Sequence, residues 1–193
     1  MQVIGITGQT GAGKSTVCKM LCTRGWAHID ADRVAKSLYI PGSSLLEKLQ
    51  AAFGSQILTT AGEVDRAALA KAAFASPEAT KTLNRIVHPA VTGAVRERLS
   101  ELERAGTPVA LLDAIALFES GEDALCARTV AVVAPESVRL ARILERDGLS
   151  ETDALRRIRA QHDEGWFCAR CDAVIRNYPP YTLAEEIGRV FPL

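Results

Sequence analysis

The octet Gly8-Gln9-Thr10-Gly11-Ala12-Gly13-Lys14-Ser15 limits what this chain can fold into more than any other feature. It matches the pattern GxxxxGK[ST], follows the apolar stretch Val3 to Thr7, and precedes a helical pattern. Glycine reaches backbone conformations that other residues rarely adopt, so the loop can turn tightly and aim successive amides at phosphate oxygens. The helix that follows presents its positive N-terminal end to the same anion. Lys14 adds a mobile cation for the β and γ phosphates, and the Ser15 hydroxyl is suited to ligate Mg²⁺. Gly11, Ala12, Gly13, Lys14 and Ser15 are therefore expected to hold a nucleotide. Thr16 either contacts the α-phosphate or simply begins the helix.

Short β-type segments recur at Val3–Thr7, Trp26–Ile29, Val109–Leu112, Thr129–Val133 and Ala173–Ile175, with longer stretches of helical periodicity between them. This alternation predicts an α/β fold with a parallel sheet. In Lys14–Arg24 the residues Val17, Met20 and Leu21 mark one helix face, and in Ser44–Phe53 the residues Leu45, Leu46, Leu49 and Phe53 mark another. From about Ser43 to Arg104 no strand pattern is seen. Apolar positions from Leu83 to Leu102 fall at helical spacing, so this stretch reads as a helical insertion. Pro89 lacks an amide proton and clashes with the preceding turn, so a restart or kink is expected there.

The chain has 193 residues, of which 48% are apolar, enough for one domain with a continuous core. Its 23 basic and 23 acidic residues cancel, which lacks the electrostatic footprint of a non-specific nucleic-acid binder. No signal-like segment or apolar run long enough to span a bilayer is read, so a cytoplasmic location and no membrane partner are expected. The five cysteines suggest reduced thiols, and Cys168 and Cys171 form a CxxC with no second pair beside it.

A phosphate loop establishes nucleotide binding but not the reaction. The base-recognition motif NKxD of GTP switches is absent, and the length leaves little room beyond one core, so a small-molecule kinase using ATP fits better than a switch or motor. A kinase needs a carboxylate to take the proton of the acceptor hydroxyl. Asp30 and Asp32 lie just past the second strand segment and face the same side if the extended geometry continues; Asp32 is the first choice, and capping of the next helix is its competing reading. Asp113 closes the third segment, where open α/β sheets bind ligands. It can hold Mg²⁺ through water, contact the acceptor, or cap the following segment. Arg139, Arg142 and Arg146 share a helix face, and Arg156, Arg157 and Arg159 follow. They form either a cationic lid or two solvated helices with Glu145 and Glu151 as ion-pair partners. From spacing alone, His88 reads as a partly buried histidine at a helix start ahead of a ligand-binding side chain. Trp166, Phe167, Tyr178 and Tyr181 read as packing residues or as a base-stacking set.

In order along the chain, Ile4-Gly5-Ile6-Thr7-Gly8 with the loop, Asp30-Ala31-Asp32, Ile86-Val87-His88-Pro89-Ala90-Val91, and Asp113 with Leu117-Phe118-Glu119 resemble the dephospho-CoA kinase family. The resemblance continues through Ala134-Pro135-Glu136, Arg142, Arg146-Asp147-Gly148-Leu149-Ser150, Arg157-Ile158 with Gln161, and then Asp172, Val174, Ile175 and Asn177. It implies a three-layer P-loop kinase core with a central parallel sheet, a helical acceptor-binding insertion and a short lid. These make up one domain over 1–193: core about 1–36 and 105–193, acceptor lobe about 37–104, lid about 135–162. It implies phosphorylation of the ribose 3′-hydroxyl of dephospho-CoA by ATP with Mg²⁺. Asp32 is then the general base, Lys14 and Arg142 stabilise the phosphates, Asn177 lies beside the adenine, and Asp32, His88, Pro89 and Asp113 meet the acceptor. A monomer or small homo-oligomer is expected. The chain departs from the family pattern at Ile115, Arg139 and Phe167, where proline, glutamine and lysine are usual.

Overall fold

The computed structural model describes residues 1–192. Five strands, β1 (Gln2–Gly8), β2 (Ala27–Asp30), β3 (Val109–Asp113), β4 (Arg128–Val133) and β5 (Ala173–Arg176), form one sheet in the order β2-β3-β1-β4-β5. The β1–β3, β1–β4 and β4–β5 pairs are parallel. Each of the five segments expected from the sequence matches one of these strands to within one residue at either end. Nine helices lie among the described residues: α1 (Lys14–Cys22), α2 (Ala31–Ser37), α3 (Ser44–Phe53), α4 (Arg66–Ala73), α5 (Pro77–Arg104), α6 (Glu136–Asp147), α7 (Glu151–Arg159), α8 (Glu164–Arg170) and α9 (Leu183–Val190). No helix among the described residues is long and apolar enough to cross a membrane.

Alternation along β4 explains the layering. Val130 and Val132 join Ile4, Ile6 and Leu111 in a core with Val17 and Leu21 of α1 and Ile187 and Val190 of α9. Ala131 and Val133 point the other way and meet Phe167 of α8. Successive side chains of a strand face opposite sides, so one hydrophobic strand feeds both cores, as parallel sheets covered on both faces require. Phe167, where lysine is usual in the family, is thereby explained: it is a fully buried core residue.

The chain folds into two compact units. One runs over Met1–Ile29 and resumes at Leu102; the other is Asp30–Glu101. The second unit is helical, and its core packs Leu45, Leu46 and Leu49 of α3, Leu69 of α4 and Ile57, with Leu83, Ile86 and Val87 of α5 against them. Ser43 and Asp65 cap α3 and α4 by accepting amide hydrogens of the first turn. The restart expected at Pro89 does not occur: α5 runs as one helix of 28 residues with Pro89 inside it. Local propensity loses there to a long buried stripe, in which Val91, Val95 and Leu99 recur every four residues.

Edge strand β5 is secured by an ion pair from α9. Glu186, buried at 6% exposure, accepts the Arg176 amide at 2.8 Å and bonds with Arg189 at 2.8 and 3.0 Å. Arg189 also donates to the Val174 carbonyl at 2.6 Å. The bond with Arg189, ahead of the Arg176 amide, holds the Glu186 carboxyl below its ordinary value of 4.5. A depressed acid favours the folded state above its unfolded value, and this advantage fades as pH falls through the folded value. Glu186→Gln is expected to lose about 1–2 kcal/mol of stability at pH 7. The difference from wild type should shrink steadily below pH 4.5. Urea unfolding followed by circular dichroism at both pH values checks this, and a constant difference would show that the charge is not its source.

Candidate functional site

The turn between β1 and α1 builds the site. Gly13 caps α1 with φ of 97°, in the left-handed region where a side chain is strained. A Cβ there would also collide with the Asn177 side chain. Asn177 follows β5 and donates from Nδ2 to the Ala12 carbonyl at 2.8 Å. Arg142 of α6 donates from Nη1 to the Gly11 and Ala12 carbonyls, each at 3.3 Å, and from Nη2 to the Asn177 carbonyl at 2.8 Å. Lys14 is buried and donates to the Gly8 carbonyl at 3.0 Å. Carbonyl oxygens, which repel phosphate, are thus occupied by cationic and amide donors. The loop is left shaped to offer its amides and the start of α1 to an anion.

Residues beyond α7 grip the front of the loop. Gln161 accepts the Thr10 amide hydrogen at 2.7 Å, and Gln9 donates to the His162 carbonyl at 3.2 Å. A cavity of about 250 Å³ opens here, lined by Gln9, Glu136, Arg139, Gln161 and Glu164 among others. Arg139 is buried at 5% exposure, bonds the Ala134 carbonyl at 3.0 Å through Nε, and leaves Nη1 without a hydrogen bond; Gln9 Oε1 is in the same position. Burial lowers the Arg139 pKa, against the pull of Glu136 and Glu164.

Ser15 and Thr16 are exposed on the first turn of α1, with the Thr16 amide bonded to the Gly13 carbonyl at 3.0 Å. Asp113 ends β3 opposite Ile6 and is 7% exposed. Its Oδ2 lies 3.5 Å from Nε2 of His28 and 3.9 Å from Sγ of Cys18. Loop, Arg142, Asn177 and Asp113 all belong to the first unit. Asp32, His88 and Pro89 belong to the second. Asp32 is exposed in the first turn of α2, and the cap that competed with a chemical role belongs to Asp30, whose Oδ1 accepts the Arg33 amide hydrogen at 2.9 Å. The chain turns helical at Ala31, so strand alternation does not relate Asp30 to Asp32. His88 is half-buried and Pro89 exposed in the middle of α5.

The CxxC lies at the end of α8, ahead of β5. Cys168 and Cys171 are free, and burial pushes the Cys171 thiol up to about 12, the opposite of the low values that make such motifs reactive. Trp166 stacks on His162 with ring centroids 3.9 Å apart, and Tyr178 packs against the core under α1 and α9.

The dephospho-CoA kinase family profile matches residues 2–180. A dephospho-CoA kinase of Anaeromyxobacter dehalogenans is 39% identical over 98% of this chain and 90% of its own. A solved Thermus thermophilus protein superposes with a TM-score of 0.82 at 35% identity, covering 98% of this chain and 93% of that one. Dephospho-CoA kinase from Campylobacter jejuni gives 0.69 at 26%, covering 98% and 96%. This chain belongs to the dephospho-CoA kinase family.

It is accordingly a kinase with ATP as co-substrate, at the last step of coenzyme A formation. Sequence reading did not single out Cys18, His28 or Gln9 in this kinase. His28 and Cys18 are ten residues apart with no motif between them, and only the sheet order brings both to Asp113. Among the loop-holding contacts, that of Asn177 is the simplest to remove. Asn177→Ala is expected to weaken ATP binding about fivefold to tenfold, the loss of one hydrogen bond worth about 1 kcal/mol. Calorimetric titration with a non-hydrolysable ATP analogue measures it, and an unchanged affinity would mean that the loop keeps its shape without Asn177.

Proposed function

We propose that this kinase moves the γ-phosphoryl group of ATP onto the ribose 3′-hydroxyl of dephospho-CoA through Lys14, Asp32 and Arg142. The bond from γ-phosphorus to the β–γ bridging oxygen breaks, a bond to the 3′-oxygen forms, and the hydroxyl proton passes to the Asp32 carboxylate. Products are coenzyme A and ADP. The observation that carries this reading is the phosphate loop itself, whose carbonyls are tied back by Arg142, Asn177 and Lys14.

Lys14 exchanges its Gly8 carbonyl for the β and γ phosphate oxygens when nucleotide arrives, a cation moving from a neutral acceptor to a charged one. Gly11, Ala12, Gly13, Lys14, Ser15 and Thr16 hold the triphosphate, with Asn177 on the adenine side. Arg142 already lies against the loop and offsets charge that spreads over the transferring group. The exposed Ser15 hydroxyl, a hard oxygen donor at the start of α1, fits Mg²⁺. When bound, the ion supplies charge neutralisation on the β and γ oxygens.

Residues of about 37–104 form the acceptor lobe in this reading, where His88 and Pro89 meet dephospho-CoA together with Asp32 and Asp113, and about 135–162 serve as lid. In this reading the kinase works on small molecules in the cytoplasm, as a monomer or small homo-oligomer and without nucleic acid.

Asp32→Asn keeps size and polarity but cannot take a proton, and turnover should fall by at least about a hundredfold with little change in the KM for ATP. Lys14→Ala should lower turnover and weaken ATP together. The readout is ADP release with dephospho-CoA, coenzyme A being identified by mass and adenosine and AMP run as rival acceptors. Near-wild-type turnover of Asp32→Asn would remove Asp32 as the base. Turnover of a rival acceptor alone would remove dephospho-CoA as the substrate.

A further inference from the structure

Three side chains of different chemistry converge at the end of β3. Cys18 comes from α1, His28 from β2 and Asp113 from β3, and their ligand atoms all lie within 4.8 Å of one another. The two distances to Asp113 Oδ2 are 3.5 Å from His28 Nε2 and 3.9 Å from Cys18 Sγ. These are poor hydrogen bonds. An imidazole N–H to a carboxylate normally closes to about 2.7–2.9 Å. Yet nothing in the primary hydrophobic pattern calls for a thiol, an imidazole and a carboxylate to face one point.

The spacing does suit the edges of a metal coordination shell. Zinc bonds of about 2.3 Å to sulfur and about 2.1 Å to nitrogen and oxygen, meeting at tetrahedral angles, set a sulfur–oxygen edge of about 3.6 Å and a nitrogen–oxygen edge of about 3.4 Å. The observed 3.9 and 3.5 Å exceed these by a few tenths of an ångström. The third edge, between Cys18 Sγ and the His28 ring, lies inside 4.8 Å, so side-chain rotation at Cys18 and His28 must close it further to bring all three atoms onto one ion.

We propose that Cys18, His28 and Asp113 form a binding site for a zinc-class divalent cation, with the fourth position left to water. The donor set of sulfur, nitrogen and oxygen selects zinc over magnesium, which prefers oxygen alone. Binding releases the Cys18 thiol proton to solvent as the metal–sulfur bond forms. The ion enters from the His28 side, whose side chain is 27% exposed, whereas Cys18 is fully buried. Lys14 stands one helical turn before Cys18, on the same face of α1, so the site adjoins the phosphate loop. Metal bound there engages the Asp113 carboxylate.

The proposal stands on geometry and shares only Asp113 with the roles proposed for turnover; because it is read by metal binding, its failure is distinguishable from theirs. Whole protein, stripped with chelator, is titrated with Co²⁺, whose thiolate charge-transfer band in the near ultraviolet reports a cobalt–sulfur bond. Wild type should develop the band, saturate at one equivalent, and lose it on adding Zn²⁺. Cys18→Ser should lose the band. His28→Gln, changed at a partly exposed position that tolerates substitution, should weaken the metal at least about tenfold with an unaltered circular dichroism spectrum. Cys168→Ser should titrate as wild type, which separates the site from the CxxC. Absence of the band in wild type, or its persistence in Cys18→Ser, would overturn the proposal.

Discussion

The left-handed turn at Gly13 is the constraint on which the rest of the first unit depends. It ends the β1-to-α1 loop in a conformation open to glycine, and the Asn177 side chain occupies the space that a Cβ would need. From that contact the fold closes on itself. Asn177 reaches the loop only because β5 pairs with β4, and β4 with β1, all parallel. Arg142 then ties the Asn177 carbonyl to the loop carbonyls from α6. A local backbone choice near the N-terminus is thus held by residues some 130 and 165 positions away.

Secondary structure and the phosphate loop were legible because both are local. Short, near-continuous apolar segments mark the strands, and glycine spacing marks the turn. Where several local rules competed, the outcome depended on packing. Asp30 and Asp32 are both sensible caps for a helix starting there, and only the geometry of the Asp30 backbone, extended before Ala31, assigns the cap. Pro89 violates helix propensity but sits within a helix whose buried stripe continues past it. Phe167 departs from the family pattern and reads as an anomaly until β4 shows its second face.

The convergence of Cys18 and His28 on Asp113 lay beyond sequence reading for another reason. No motif spacing links an α1 cysteine to a β2 histidine, since their meeting requires β2 to skip past β1 and pair on the far side of β3. Long-range convergence of this kind depends on strand order, which periodicity does not encode. The same limit applies to Gln161 and Thr10, whose bond joins residues 151 positions apart.

The arginines show why counting cations on a helix misjudges a phosphate site. Six were candidates for a lid, and their fates differ by position. Arg142 alone among them donates to the loop carbonyls. Arg139, one turn earlier, is buried, bonds the Ala134 carbonyl and lines the cavity beside Gln9 and Gln161. Arg146 and Arg157 both bind Asp147, which links α6 to α7, and Arg156 pairs with Asp153. The expected partners Glu145 and Glu151 are in none of these pairs. Exposed ion pairs contribute about 0–1 kcal/mol each, so they set the geometry between two helices more than their stability. Arg142 differs from the others because the Asn177 carbonyl anchors its Nη2 while Nη1 reaches the Gly11 and Ala12 carbonyls.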